Sequence, residues 1–546
     1  MATYRRILPC LLAIGLLLGC NSKSGDHEED AEVEEIDAGW ENGDGEVENG
    51  DAGEENGETT DTISRHGITW TFAEPVEYGR FVNGDYWVVG PLTVIDIDPA
   101  PIMDRVITDT YCRYHGGSDD IVRCVDFPEP FEGEYGYSDL CIEYECVYVL
   151  MRNGSAVNPM PGSSQTYDSR IGSLAYEDAV SLPIELLPNS SLLSSRSNPD
   201  DRDCDLETER PGWTDFQGVC HRDRYLRTAA VLTVLDEPPP EGSFRPAYTG
   251  EEKVLHNADD LRIDLLTDLE PVGSPPDIVS LTERFSRVRL DDRTGWTAER
   301  MQPIDAVGGY GAGLVRTMGH AGLSLLIDQD PDEKRALLIQ FVQTGIDLFG
   351  SLLNGNNWHG DGGHGSGRKF PIVFAGLMLG VGEMERVVDF PLAPGQRFQE
   401  DCQTYYDFVD FPFFYGVEGF PRWGIRHCQD LSGSNSSFHD ESNGYRTCCN
   451  SQSWVGQTLT MRLLGIESLW DHQPYFDYMD RWMQTEGDGH WGSAFADAMW
   501  HHYRPTIDTC KNDVWDRCSS LCDPDDGTML GEEGIDCGDV CTSPCE

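Results

Sequence analysis

The sequence is poor in positive charge, and lysine is scarcer than arginine. In 546 residues, 39 Lys and Arg stand against 96 Asp and Glu, which gives a formal net charge of -57. Proteins that bind nucleic acid neutralise its phosphates with basic patches, so nucleic acid is excluded as a partner. Because salt screens the repulsion between surface carboxylates, such a surface is typical of a protein that works in salty water.

Long apolar runs are missing after residue 20, where no stretch approaches about 18 uninterrupted apolar residues. The first residues, MATYRRILPCLLAIGLLLGC (1–20), place about a dozen apolar residues after Arg5 and Arg6, which is typical of a secretory signal. The ending LLGC resembles the lipobox of bacterial lipoproteins, and the resemblance implies that Cys20 is lipidated. We therefore expect a secreted protein, anchored by lipid to the bacterial outer membrane, at the cell surface or in the periplasm.

Apolar side chains are almost absent from residues 21–61, which are mainly Asp, Glu, Gly, Asn and Ala with a single aromatic residue, Trp40. Such a composition cannot bury enough apolar surface to offset the loss of chain entropy on folding. We predict a disordered acidic tether that holds the folded part away from the membrane.

Paired CxxC blocks are missing outside the C-terminal tail, which disfavours a zinc site, the competing interpretation of the cysteines. Sixteen of the 18 Cys follow Cys20, and an even number in an exported chain predicts disulfides. Sequence spacing favours the local pairs Cys112–Cys124, Cys141–Cys146, Cys204–Cys220 and Cys402–Cys428. The adjacent Cys448 and Cys449 cannot bridge each other without strain, so each is expected to pair elsewhere.

Residues 506–546 form a small Cys-rich, disulfide-rich tail. Its segment LGEEGIDCGDVC resembles the Cys-rich modules at the ends of surface proteins of myxobacteria and their relatives. The resemblance implies an extracellular location and says nothing about chemistry.

Between the tether and the tail, the periodicity of apolar residues changes once. Residues 62–256 carry short β patterns such as GITWTF (67–72) and RTAAVLTVLDE (227–237), which predict an antiparallel, sandwich-like β domain. Residues 257–505 carry helical patterns, including one over 332–353 that follows Asp330 and Pro331 as cap and first-turn proline. The fold class predicted is therefore α+β and multidomain, with an α/α toroid-like helical domain after the β domain.

The stretch NGNNWHGDGGHGSGRKF (354–370) places polar residues between two apolar helical patterns. Its glycines let the backbone approach a ligand, and Asn357, His359 and His364 offer donors and acceptors. Arg368 and Lys369 supply local positive charge. The alternative is a long polar connection in which Arg368 starts a helix and pairs with a neighbouring carboxylate.

The combination of NNWH with Arg before a helical array is similar to polysaccharide lyases of the alginate-lyase and heparinase type. The resemblance implies β-elimination from a uronic-acid polysaccharide: Asn357 and Arg368 neutralise the carboxylate, and His359 or His364 removes the C5 proton. A Tyr must protonate the leaving oxygen, and Tyr445, beside the cation Arg446, is the first candidate. No cofactor is required, and the partner is an anionic polysaccharide.

Several further residues are candidates for substrate binding. They lie in the loop, in a predicted hairpin at 81–91 and in the later helical segments: Asn83, Tyr86, Trp87, Tyr310, Trp358, Lys369, His439 and Trp454. For the hairpin residues and for the tryptophans, ordinary turn and core positions are the alternative.

Two other classes of function compete with a lyase. His359, Asp361 and His364 are a potential divalent-metal set of a hydrolase or oxygenase, and Asp361 with Asp440 or Glu441 is a potential carboxylate pair of a glycoside hydrolase. The second class is a non-catalytic lipoprotein that only binds glycan, through cations including Arg422 and Arg426.

Overall fold

In a computed structural model, the chain is described over part of its length. The described residues are 58–108, 112–113, 123–124, 141–142, 146–198, 225–293, 302–303, 311–359, 363–387, 398–406, 419–424, 446–485, 492–507, 532–534 and 537–538, without the side chains of 105–149, 448 and 532–538. The predicted signal with Cys20, residues 21–57 of the tether and most of the tail lie outside them. Cys402 and Cys449 are each disulfide-bonded.

The first part of the chain folds into strands. They are β1 Glu58–Arg65, β2 Ile68–Arg80, β3 Tyr86–Val89, β4 Leu92–Asp98, β5 Ile102–Thr108, β6 Cys112–Arg113, β7 Arg123–Cys124, β8 Cys141–Ile142, β9 Cys146–Arg152, β10 Ser155–Val157, β11 Ile184–Leu186, β12 Ser190–Ser197 and β13 Leu226–Leu235. Eight of them form one curled half-barrel sheet in the order β10-β12-β13-β3-β2-β4-β11, with β1 paired to β2. A smaller sheet has the order β5-β9-β7.

The sheet departs from the sequence prediction in two ways. A half-barrel replaces the expected sandwich, and β3 pairs with β13 in parallel, which makes the sheet mixed rather than antiparallel. β1 begins at Glu58, three residues before the predicted end of the tether at residue 61, and residues 58–60 pair with 76–78 of β2.

Both faces of the large sheet are buried. Along β13, Ala230, Leu232 and Val234 pack with Trp70 on one face, while Ala229 and Val231 pack with Tyr167 and Tyr248 on the other. This alternation is the side-chain period of an extended strand. A continuous apolar run such as the one in β13 is therefore expected where a strand is covered on both sides.

The later part of the chain is helical. Its helices are α1 Ile278–Phe285, α2 Gly311–Leu326, α3 Pro331–Leu353, α4 Lys369–Leu379, α5 Gly382–Glu385, α6 Gln399–Gln403, α7 Gln452–Leu464, α8 Glu467–Trp470, α9 Gln473–Thr485 and α10 Ala494–Tyr503. Short strands β14 Thr404–Tyr406 and β15 Pro421–Trp423 form a pair, as do β16 Glu532–Gly534 and β17 Cys537–Gly538.

The start of α3 confirms the predicted cap. The carboxylate of Asp330 accepts hydrogen bonds from the backbone N–H groups of Asp332 (3.0 Å) and Glu333 (3.3 Å), and Pro331 is the first helical residue. By length and composition α3 could cross a membrane, but 78% of its most apolar window is buried inside the protein. It is a core helix, packed against α1 and α4.

Helices α2 and α7 approach so closely that their backbones touch. A Cβ placed on Gly319 would lie 2.8 Å from the backbone nitrogen of Gln457 and 2.9 Å from the Cα of Gly456. Any side chain at Gly319 would therefore force the two helices apart. This contact holds α7 against α2.

Candidate functional site

Two described segments between α3 and α4, residues 354–359 and 363–368, pack against each other. A Cβ on Gly365 would lie 2.6 Å from the carbonyl oxygen of His359, so the residue after His364 packs against His359. The backbone of Gly311, at the start of α2, packs equally tightly against Gly363. The loop thus brings the two histidine positions together and lies against the N-terminus of α2.

Asn357 and His359 form a hydrogen-bonded pair in this loop. The ring nitrogen Nδ1 of His359 lies 2.7 Å from Oδ1 of Asn357, and both side chains are half-buried. Because Oδ1 only accepts, Nδ1 carries the proton, and Nε2 is the basic nitrogen. Among the described residues, no group hydrogen-bonds to Nε2 of His359 or to Nδ2 of Asn357. One basic nitrogen and one amide donor are therefore available together.

Arg368 is placed differently from the prediction that it binds substrate. Its side chain is 0% exposed and forms an ion pair with Asp291, with Nε 3.1 Å from Oδ2. Its Nη1 donates to the carbonyl oxygens of His364 (2.5 Å) and Ser366 (2.9 Å). The alternative interpretation, an arginine paired with a carboxylate at the start of a helix, is the one that the structure supports.

Lys369 is likewise inside the protein. Its Nζ donates to Asp401 (2.6 Å) and to the backbone oxygen of Trp470 (2.6 Å), and it lies 4.5 Å from the centre of the Trp470 ring. Burial lowers the pKa of Lys369, although Asp401 partly opposes the shift. The ammonium group fixes α4 to α6 and α8, so it is not available to an external anion.

The two tryptophans predicted to stack on sugar are core residues. Trp358 is buried and stacks on Phe398, with ring centres 5.8 Å apart. Trp454 is buried, packs on Tyr475, and donates from Nε1 to the hydroxyl of Ser366 at 3.0 Å. Both rings therefore contribute to the core of the helical part.

Helix α6 holds the loop through two buried side chains. Oε1 of Gln399 accepts the backbone N–H of Gly365 (2.7 Å), and Oε1 of Glu400 accepts that of Gly367 (2.8 Å). Burial raises the pKa of Glu400. Neither residue was predicted from the sequence, in which the only signal for them is the pattern QED at 399–401, three polar residues in one helical turn.

The hairpin residues do not form a sugar-binding edge in this structure. Asn83 is buried and donates from Nδ2 to Asp85 at 2.9 Å. Tyr86 and Trp87 are buried on opposite faces of the sheet, Tyr86 beside Val88 in one core cluster and Trp87 in another. The alternative of ordinary turn and core positions therefore describes all three residues.

Two further predicted cations, Arg446 and Arg422, have described positions. Arg446 is buried, its guanidinium carbon lies 4.9 Å from the centre of the Trp482 ring, and its side chain hydrogen-bonds to Tyr478. Arg422, on β15, lies 4.9 Å from the centre of the Phe420 ring.

Several predicted residues lie outside the described residues. They are Tyr310, Asp361, Arg426, His439, Asp440, Glu441 and Tyr445. The metal set and the carboxylate pair each include Asp361, so both stay predictions. Within the part of the chain that the structure describes, no group of three His, Cys, Asp or Glu side chains is arranged to hold a metal.

Helix α9 carries two buried carboxylates, one turn apart, whose surroundings differ. Asp480 accepts from Arg462 (2.7 Å) and Arg504 (2.6 Å). Asp477 instead accepts from Gln473 (2.8 Å) and from the hydroxyl of Tyr406 on β14. Burial raises the pKa of Asp477 to about 7, and the negative charge of Asp480 adds to the shift.

Replacing Asp477 by Asn is expected to stabilise the protein at neutral pH. A carboxyl group with a raised pKa binds its proton more tightly in the folded state, so wild-type stability falls as pH rises from about 4 to about 7. The amide mimics the protonated carboxyl group and removes this loss, on the order of 4 kcal/mol at pH 7.5. Urea unfolding at pH 4.5 and 7.5 measures the difference.

The control is Asp264→Asn, which changes the charge equally at an exposed position. A variant Asp477→Asn whose stability relative to wild type is the same at both pH values would show that Asp477 is ionised in the folded protein at pH 4.5.

No family model, no curated protein and no solved structure matches this chain.

Proposed function

We propose that the chain is a carbohydrate-active enzyme, a polysaccharide lyase that cleaves uronic-acid polysaccharide by β-elimination with His359 as the base. The single observation that carries the proposal is the 2.7 Å bond between Nδ1 of His359 and Oδ1 of Asn357. It fixes the imidazole so that Nε2 can accept a proton, while Asn357 keeps an amide donor beside it.

The chemistry assigns one role to each of these two groups. Nδ2 of Asn357 donates to the carboxyl group of the uronic acid, which stabilises the negative charge that develops when the C5 proton leaves. Nε2 of His359 takes that proton, the C4–C5 double bond forms, and the C4–O bond breaks. The leaving oxygen needs a proton, and Tyr445 stays the predicted donor.

The roles predicted for Arg368 and Lys369 are not part of this proposal. Both side chains are 0% exposed and paired with Asp291 and Asp401. Carboxylate recognition is therefore assigned to the neutral amide of Asn357. A neutral amide attracts a carboxylate less strongly than a guanidinium group does. Because the chain is also strongly acidic, the proposal favours substrates that bind through several sugar units.

We further propose that the helices form an α/α toroid-like array, and that the protein is secreted and anchored through a lipidated Cys20. Two helix contacts support the array: α2 with α7 and α3 with α4, each between apolar faces in one continuous core. The signal and lipobox pattern of residues 1–20 supports the location.

Replacing His359 by Ala is expected to lower turnover of the substrate at least about a hundredfold, because the proton acceptor is lost. Replacing Asn357 by Ala is expected to lower it about tenfold or more, since the ring loses its orientation. The assay follows the absorbance of the unsaturated product with alginate, glucuronan, ulvan and glycosaminoglycans at several salt concentrations. His502→Ala, at an exposed position on α10, is the matched control.

The outcomes separate the competing functions. Absence of an unsaturated product with every polysaccharide contradicts the lyase, and new reducing ends without that absorbance indicate a hydrolase. Turnover that a chelator stops and zinc or manganese restores favours the metal set His359, Asp361 and His364. Binding that survives in wild type without any turnover indicates a protein that only binds glycan.

A further inference from the structure

Ten basic side chains whose surroundings are described form an ion pair with a carboxylate, as expected on so acidic a chain. Such pairs are formed by Arg65, Arg152, Arg170, Arg245, Arg262, Lys334, Arg368, Lys369, Arg462 and Arg504. Arg196, Arg227 and Arg287 are among the described basic side chains that are not part of these pairs. None of these three has a carboxylate oxygen within 4 Å among the described residues.

These three arginines come together where the turn between β1 and β2 meets β12 and β13. Arg196 on β12 pairs in register with Thr228 on β13, and Arg227 directly precedes Thr228. Arg287 donates from Nη1 to the hydroxyl of Thr228 at 3.4 Å. On the other side of Arg196, its Nη1 lies 2.6 Å from the position that a Cβ on Gly67 would occupy.

His66 lies in the same turn, and two positive charges, those of Arg65 and Arg287, act on it. Burial lowers the pKa of His66 to about 3, and the charges of Arg65 and Arg287 contribute to the shift. Arg65 and Arg227 in turn contribute to lowering the pKa of Arg287, after its partial burial, while Glu283 opposes them. Like charges held together in this way repel one another, and an anion between them would relieve the repulsion.

The exposure of the cluster suits a ligand that comes from solution. Arg227 is exposed, and Arg196 and Arg65 are half-buried. Arg65 is partly neutralised by Asp85, to which its Nε donates at 3.1 Å. The guanidinium groups of the other three present planar donor forks that match the oxygens of a carboxylate or sulfate.

We propose that Arg196, Arg227 and Arg287, here named the arginine patch, bind the carboxylate or sulfate groups of an anionic polysaccharide chain. A chain with repeated anionic groups can make several weak contacts at once, and together they raise its affinity, whereas a single small anion makes only one such contact. The inference rests on the proposed function for its class of ligand. It adds a second surface, built from β12, β13 and the segment after α1 instead of the loop at 354–369, that would retain the chain between cleavage events.

The test measures binding of alginate, a sulfated polysaccharide, a neutral polysaccharide, single-stranded DNA and inorganic sulfate by calorimetry. The measurement is made at about 0.3 M salt, where charges more than about 6 Å apart are screened, so that the distant carboxylates of the protein contribute little. The variant Arg196→Ala/Arg227→Ala is compared with Arg262→Ala/Arg335→Ala, which removes the same charge at exposed positions elsewhere. Unfolding curves verify that both variants are folded.

The expected result is that an anionic polysaccharide binds the wild type, that the patch variant binds it about tenfold more weakly, and that the control variant changes less than twofold. Equal losses in the two variants would overturn the proposal, because net charge alone would then explain them. Binding of inorganic sulfate alone, or of DNA as tightly as of polysaccharide, would also overturn it.

The same measurements keep this inference distinct from the proposed function. His359→Ala, which is expected to stop turnover, leaves the arginine patch intact and should bind the polysaccharide as wild type does. A lyase whose patch variant binds normally contradicts only the arginine patch. Patch-dependent binding without turnover contradicts only the lyase.

Discussion

Replacing Arg245 by Met is expected to lower the free energy of unfolding by about 3–5 kcal/mol, because it leaves the buried Asp347 without its counter-charge. Arg245 is 1% exposed and connects the large sheet to α3. Its Nε donates to Asp85 at 2.7 Å, and its Nη1 and Nη2 donate to the two oxygens of Asp347 at 2.9 and 2.5 Å. No other described side chain bridges these two elements through two carboxylates.

The two carboxylates respond differently to the loss. Burial alone would raise the pKa of Asp85, but Arg65 and Arg245 outweigh it and the pKa is lowered. For Asp347, burial outweighs the attraction of Arg245 and the pKa is raised. Without Arg245, Asp85 keeps Arg65 as a partner, whereas Asp347 loses its ion pair. We therefore expect the variant to lose more stability at pH 8 than at pH 5, where Asp347 is more readily protonated.

Urea unfolding at the two pH values measures this effect, and Arg262→Ala is the control. Arg262 pairs with Glu385 at the surface, so its removal should cost less than about 1 kcal/mol. An Arg245→Met variant as stable as this control would contradict a structural role for the bridge. A transition that splits in two would show that the sheet and the helices no longer unfold together.

The sequence was a good guide to the elements and a poor guide to their partners. The patterns at 332–353 and 227–237 match α3 and β13 closely, because a packed helix and a covered strand impose their periodicity on the chain. The parallel pairing of β3 with β13 was not predictable in this way, since 136 residues separate the two strands and strand order leaves no periodic signal.

The same limit explains the errors at the site. The loop was recognised because Gly, Asn and His cluster there, and the pair of Asn357 and His359 lies within three residues. The carboxylates that pair with Arg368 and Lys369 stand 77 and 32 positions away in the chain. Local composition shows a positive charge next to two histidines, but it does not show that a distant Asp already neutralises it.

Replacing Arg368 by Met is expected to cost about 3–5 kcal/mol in stability, since Asp291 would stay buried without a partner. Arg368→Lys should recover only part of this, about 2 kcal/mol, because one ammonium group cannot reach Asp291 and the carbonyl oxygens of His364 and Ser366 together. Urea unfolding measures both. Asp291→Asn with Arg368→Met should cost less than the sum of the two single changes, since neither charge is then left alone.

This series also decides what Arg368 does. If Arg368 binds a substrate carboxylate, its replacement lowers turnover while the protein stays stable. Arg368→Lys would then raise KM without changing the unfolding curve. If Arg368 positions the loop, its replacement lowers the stability of the protein and its turnover together. Lowering the temperature would then restore both in Arg368→Lys, because Asn357 and His359 regain their geometry once the loop refolds. The buried ion pair with Asp291 favours the second outcome, and an unchanged unfolding curve for Arg368→Met would contradict it.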